Sequence, residues 1–222
     1  MVGGAHTCIQ ALLDSVGQSG TLVVPAFSPA VLESEAGEAT SDDANPGAAV
    51  FDPATTPTSL GAIPEAFRTW AGVVRSEHPH VSVCAKGVNA GKIVAPHDLA
   101  WGQGAGSPFE RLYEMDARLL LLGVGFNRAT LLHYAESRVP HGRRKTRHLP
   151  VGDGEWVDVP DVGDDLDTHF PAIGRAVLRE GLANVGRVGE ADCALVSSRL
   201  LVDRAVSFLS DALSVQGGIE PA

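Results

Sequence analysis

RLLLLGVGFNRATLLHYAES, residues 118–137, holds the two local patterns that set the fold. Four leucines in a row, closed by Gly123 and Gly125, make an apolar run of strand length, too short for a buried helix. Such a run, apolar on both faces, is expected to be a central strand covered by helices on each side. NRATLLHYAES then reads as a helix, with Asn127 placed to cap it. On that helix Thr130, His133, Glu136 and Ser137 fall along one side, while Leu131, Leu132 and Ala135 are left for the core. Ligands of open α/β sheets bind at the carboxyl ends of strands. His133, about two turns into the expected helix, would line such a crevice.

The same alternation continues in both directions. AHTCIQALLDSV (5–16) puts Ile9, Leu12, Leu13 and Val16 on one helical face. TLVVPAF follows as a buried strand broken by Pro25, and residues 31–47 form an acidic, turn-rich loop carrying Glu33, Glu35, Glu38, Asp42 and Asp43. GAIPEAFRTW predicts a short helix, VVRS and VSVCAKG short strands. In SPFERLYEM, Ser107 as cap, Pro108 at the first helical position and Glu110 beyond it mark a helix start. Downstream, HLPVG, EWVDV and ADCALVSS predict strands; THFPAIGRAVLREG and RLLVDRAVSFLSDAL predict helices. Strands alternating with helices give an α/β class with a layered sheet. With no internal repeat and no linker, residues 1–222 are expected to form a single domain.

The 222-residue chain is 44% hydrophobic, enough for a real core. Its formal net charge of −10 argues against nonspecific nucleic-acid binding and favours the approach of a cationic small molecule. No apolar run is long enough to span a membrane, and the opening MVGGAHTCIQ lacks the pattern of a signal peptide. Cys8, Cys84 and Cys193 are few, scattered and odd in number, which suits a reducing cytoplasm rather than a disulfide framework.

Read from spacing alone, His133 is either a general base, a task its ordinary pKa suits, or a hydrogen-bonded core histidine. HEXXH is absent, so His133 and Glu136 do not make a zinc site. His78-Pro-His80 and His97 leave a metal-dependent hydrolase open as an alternative, though no ligand set is complete and no metal is expected. There is no GxSxG elbow and no phosphate-binding P-loop; GQGAG (102–106) follows no convincing strand. Cys84 and Cys193 sit in apolar strands, where inert buried cysteine is expected. RRKTRH (143–148) suits a solvated strand edge better than a phosphate grip.

Five stretches, in order, resemble the aminoglycoside 3-N-acetyltransferase family, the antibiotic N-acetyltransferase group that is distinct from the GNAT fold. They are GTLVVPAFS, FDPATTPTSLGAIPEAF, GVVRSEHPHVSVCAKG, GSPFERLYEMDARLLLLGVG and NRATLLHYAES. The resemblance implies a layered α/β/α sandwich around a mixed sheet. It implies acetyl transfer from acetyl-CoA to the 3-amino group of a 2-deoxystreptamine aminoglycoside, in the cytoplasm. In the T-x-x-H-x-x-E motif the histidine, here His133, is the base and the glutamate is Glu136. A further acidic residue about 30 positions on, which holds the substrate amine and orients the histidine, maps onto Asp161 or else Asp158. For acetyl-CoA the resemblance points to Thr56, Arg75, Ser76 and His78, with Ser82 and Ser107 as lesser candidates, and to Gly3 and Gly4, whose backbone would approach the cofactor at a helix N-terminus. Thr56, with Thr58 and Gly61, reads equally well as a turn before a helix, and Arg75 as a surface ion pair. Family members usually begin about 40 residues earlier, so an incomplete acetyl-CoA pocket is one expectation. An acyl-CoA N-acyltransferase for another amine and a catalytically dead relative stay open as alternatives.

Overall fold

The computed structural model describes residues 3–28, 51–139, 144–152, 155–162 and 168–216. The acidic segment 31–47 lies outside them. In chain order the elements are α1 (Gly4–Val16), β1 (Thr21–Pro25), α2 (Ala62–Arg68), β2 (Val74–Arg75), β3 (Val83–Gly87) and α3 (Ala90–Val94). Then come α4 (Pro108–Glu114), β4 (Arg118–Leu122), a 3-10 turn (Phe126–Arg128) and α5 (Leu131–Ser137). The rest are β5 (Arg144–Gly152), β6 (Glu155–Val162), α6 (Phe170–Arg179), β7 (Ala183–Val188), β8 (Ala191–Ser197) and α7 (Ser198–Gln216). The α/β class is the one expected. These elements form two compact units: residues 1–102, 106–108 and 145–161, and residues 103–105, 109–144 and 162–222.

In the first unit, β3 is the middle strand of the order β1-β3-β2 and pairs antiparallel with both neighbours, with Val24 opposite Cys84 and Arg75 opposite the same cysteine. Pro25 has no N–H to give a ladder, and β1 ends there. Ile9 of α1, Phe67 of α2, Ala26 and Cys84 are fully buried together, with Leu13, Leu22, Ile63 and Trp70 packed around them. Burying Phe67 alone stabilises the unit by roughly 2–3 kcal/mol. The apolar face of α1 is therefore real, but Val16 at its end stays 37% exposed. β5 and β6 pair as a separate ribbon.

In the second unit the strand order is β4-β8-β7, again antiparallel, with Leu121 opposite Ala194 and Val185 opposite the same residue. Leu132, Ile173, Val177, Leu201, Val202, Ala205 and Leu209 make the core beneath the helices. Two local expectations need correction. Among the described residues the RLLLL strand ends its strand order rather than lying at the centre, and Arg118 and Leu120 on one of its faces are exposed. The helix after it does not start at Asn127. Ala129 N–H bonds to Phe126 O at 2.9 Å and closes a 3-10 turn, so α5 begins only at Leu131. His133 consequently sits in the first turn of a seven-residue helix rather than two turns along.

Candidate active site

The His133 and Glu136 side chains meet as the i, i+3 spacing requires. His133 Nδ1 lies 2.7 Å from Glu136 Oε2. Glu136 is 3% exposed, while the imidazole keeps 22% of its surface. An ionised carboxylate can only accept a hydrogen bond, so it fixes the proton on Nδ1 and leaves the ring's lone pair on Nε2. The Phe170 ring, at the start of α6, lies 4.9 Å from the imidazole at a tilt of 57°.

α5 is anchored on its other side by a network that no sequence motif announces. Tyr113 OH donates to Asp203 at 2.8 Å, and the Arg138 guanidinium lies over the Tyr113 ring at 4.6 Å. Tyr134 OH lies 3.5 Å from Glu110, and burial together with that carboxylate pushes its phenol up to about 12. The members come from α4, α5 and α7, so only folding brings them together.

The expected cofactor residues all lie in the first unit, where most are drawn into the fold. Arg75 is 9% exposed. Its Nε donates to Ser82 Oγ at 2.9 Å, and its other nitrogens donate to Thr56 O, Ala26 O and Ser28 Oγ. It is thus a buried tie between three chain segments, where a surface ion pair was one expectation. Burial pulls its pKa down. Ser82 Oγ donates to Ala26 O at 2.8 Å. Thr56 Oγ1 accepts from the Asp52 N–H at 2.9 Å, the turn role left open by its spacing.

His78 is 1% exposed with both ring nitrogens engaged. Nδ1 accepts from the N–H groups of His80 and Val81 at 3.1 Å, and Nε2 lies 3.2 Å from Leu99 O. Desolvation, helped by His97, pushes this imidazole down to about 3, so it stays neutral. Ser76 Oγ accepts from the Val83 N–H at 2.9 Å and stands 2.8 Å from His97 Nδ1. A Cβ on Gly102 would meet His78 Nε2 at 2.5 Å, so the first glycine of GQGAG serves this packing. Among the described residues no group of three or more His, Cys, Asp or Glu is arranged to hold a metal.

Ser107 is buried at 1% before α4. Gly3 and Gly4, at the start of α1, both have positive φ (99° and 64°), a backbone that favours glycine there. Asp161 pairs with Arg147 and is 6% exposed, whereas Asp158 meets His148 Nδ1 at 2.7 Å on the surface. Arg147 and His148 of the basic run thus find partners in acids of the next strand. Cys84 is fully buried, and burial raises its thiol to about 11; Cys193 is only partly buried, against expectation. No helix among the described residues is long and apolar enough to cross a membrane.

An i, i+3 histidine–carboxylate pair at the mouth of a strand–turn–helix agrees with the family suggested by the five stretches. The sequence model of that family, aminoglycoside 3-N-acetyltransferase, matches residues 1–210. The SPbeta prophage-derived aminoglycoside N(3')-acetyltransferase-like protein YokD of Bacillus subtilis is 34% identical over 212 residues, covering 90% of this chain and 78% of that protein. Among solved structures, AAC-IIIb in binary complex with CoASH superposes with a TM-score of 0.87 at 29% identity, over 99% of this chain and 87% of its own. AAC-VIa bound to sisomicin gives 0.86 at 28% identity, over 96% and 87%. The chain belongs to the aminoglycoside 3-N-acetyltransferase family.

Proposed function

We propose that this protein transfers the acetyl group of acetyl-CoA directly to the 3-amino group of a 2-deoxystreptamine aminoglycoside, with His133 as general base. The observation that carries this reading is the partly exposed imidazole bonded through Nδ1 to the buried Glu136. Family membership supports the reaction class, and the CoASH-bound and sisomicin-bound relatives support the two substrates.

An aliphatic amine near pH 7 is mostly ammonium and cannot attack a carbonyl. The ammonium first releases one proton to solvent, and His133 Nε2 takes a second from the amine as its nitrogen bonds to the thioester carbon. Glu136 stabilises the imidazolium that forms. The carbon–sulfur bond then breaks, and the proton held on His133 can pass to the leaving thiolate, which restores the neutral ring. Binding both substrates together supplies proximity, so no covalent enzyme intermediate is needed. Asp161, or else Asp158, is proposed to hold the substrate amine. For acetyl-CoA, the Gly3 and Gly4 backbone is the proposed contact, and Thr56, Arg75, Ser76, His78, Ser82 and Ser107 are proposed to shape its site by holding the first unit together. The net charge of −10 favours a polycationic substrate, and a cytoplasmic place of action goes with the use of acetyl-CoA.

The test is acetyl-CoA-dependent thiol release with sisomicin as acceptor, in the parent protein and in His133→Ala. The reading expects turnover in the parent and a fall of about 10²-fold or more in the variant. Equal turnover in both removes the base, and no turnover in a folded parent that binds CoA makes the chain a dead relative.

A further inference from the structure

The Cβ–Cγ bond and the hydrogen bond to Glu136 hold one edge of the imidazole, and the edge that carries Nε2 keeps a small residual roll. A base that takes a proton from a positioned amine needs that roll removed, because small misplacements of a reacting group are costly in rate. Within the described part of this unit, the ring–ring contact that opposes the roll comes from Phe170. We propose that Phe170 is a positioning residue for the His133 imidazole, and that Gly174 sets the depth at which it acts; this rests on the reading of His133 as the base.

Phe170 is suited to the task because it cannot move far. Its side chain is 1% exposed, and it is the first residue of α6. One turn further along, Gly174 lets α6 lie against the 3-10 turn: a Cβ there would meet Phe126 Cβ at 2.5 Å and Cγ at 2.6 Å. Phe126 opens the turn that leads through the buried Ala129 into α5. The helix carrying Phe170 and the loop that launches the base are thus pressed together at residue 174. An aromatic ring presents a flat face and a polarised edge to the imidazole, which an aliphatic side chain of similar volume does not.

Three variants test this: Phe170→Leu, Phe170→Tyr and Gly174→Ala, with rates normalised to folded protein by thermal melts. Phe170→Leu is expected to lower kcat about 10-fold with KM for acetyl-CoA within about twofold, and Phe170→Tyr to restore it. Gly174→Ala should follow Phe170→Leu. A core residue with no positioning role would lower Tm and leave kcat per folded molecule untouched. Relaxation of the His133 ring Cε1–H bond gives a readout independent of turnover: a rigid ring in the parent, a more mobile one in Phe170→Leu. Unchanged kcat together with an equally rigid ring in Phe170→Leu overturns the proposal. If His133→Ala retains full turnover, the base reading falls instead, and the relaxation measurement still judges whether Phe170 holds the ring. Should Phe170→Leu not fold, Gly174→Ala is read by the same two measurements.

Discussion

Replacing Arg75 with methionine separates two roles for a residue that both sequence and resemblance single out. The guanidinium makes four hydrogen bonds inside the first unit and lies 5.0 Å from the Phe51 ring centre. Methionine keeps much of the stem's packing and removes every donor. Thr56 O, Ser28 Oγ and Ser82 Oγ then lose this partner, while Ala26 O keeps its bond from Ser82. Each buried acceptor left short costs about 1–3 kcal/mol, and release of a desolvated cation gives part of that back. A net loss of about 3 kcal/mol follows, which for a chain of this size lowers Tm by roughly 6–12 °C. Differential scanning calorimetry reads the transition, and titration of CoA reads the affinity. The structure predicts a lowered Tm, with CoA affinity changed only as far as the unit loosens. An unchanged Tm with CoA binding weakened 10-fold or more would refute this account and make Arg75 a phosphate ligand.

Acid should weaken the first unit in two windows. His78 titrates near 3 when folded and near 6.5 when unfolded, so its contribution is complete above pH 6.5 and is lost as pH falls from 6.5 toward 3, by at most about 1.4 kcal/mol per pH unit. The Arg68 guanidinium holds Glu65 at about 2, so its smaller contribution is present above pH 4.5 and fades as pH falls toward 2. Urea midpoints between pH 6.5 and 4.5 should therefore flatten in His78→Leu and not in Glu65→Gln; equal slopes in all three proteins contradict the assignment. Glu136→Gln keeps the volume but lets an amide NH2 turn toward Nδ1, which moves the ring proton to Nε2. Its kcat should fall by roughly 10²–10⁴-fold with little change in KM, and a loss under threefold in a steady-state assay would contradict that role.

What the sequence makes legible here is what is local along the chain. His133 and Glu136 are three residues apart, so any helix through them pairs them, even though the helix begins three residues later than a cap at Asn127 implies. The 3-10 turn was illegible because FNR carries no feature that separates it from a first helical turn. β7 and α3 escaped notice: ANVGRV holds a glycine and only two spaced valines, and AGKIV is five residues long. Arg75 looked like a surface cation because its acceptors stand 7, 19, 47 and 49 residues away. Phe170 and Tyr113 were invisible for the same reason, since each acts on α5 from an element placed there only by packing.

The central claim concerns which nitrogen of one imidazole carries the proton. A two-bond proton–nitrogen correlation spectrum of nitrogen-labelled protein, with His133 assigned by its absence in His133→Ala, reads this directly at a pH where the ring is neutral. The account predicts a protonated Nδ1 and a bare Nε2, and reversal or averaging in Glu136→Gln. A proton on Nε2 in the parent protein would contradict it, because the nitrogen needed to accept a proton from the amine would already hold one.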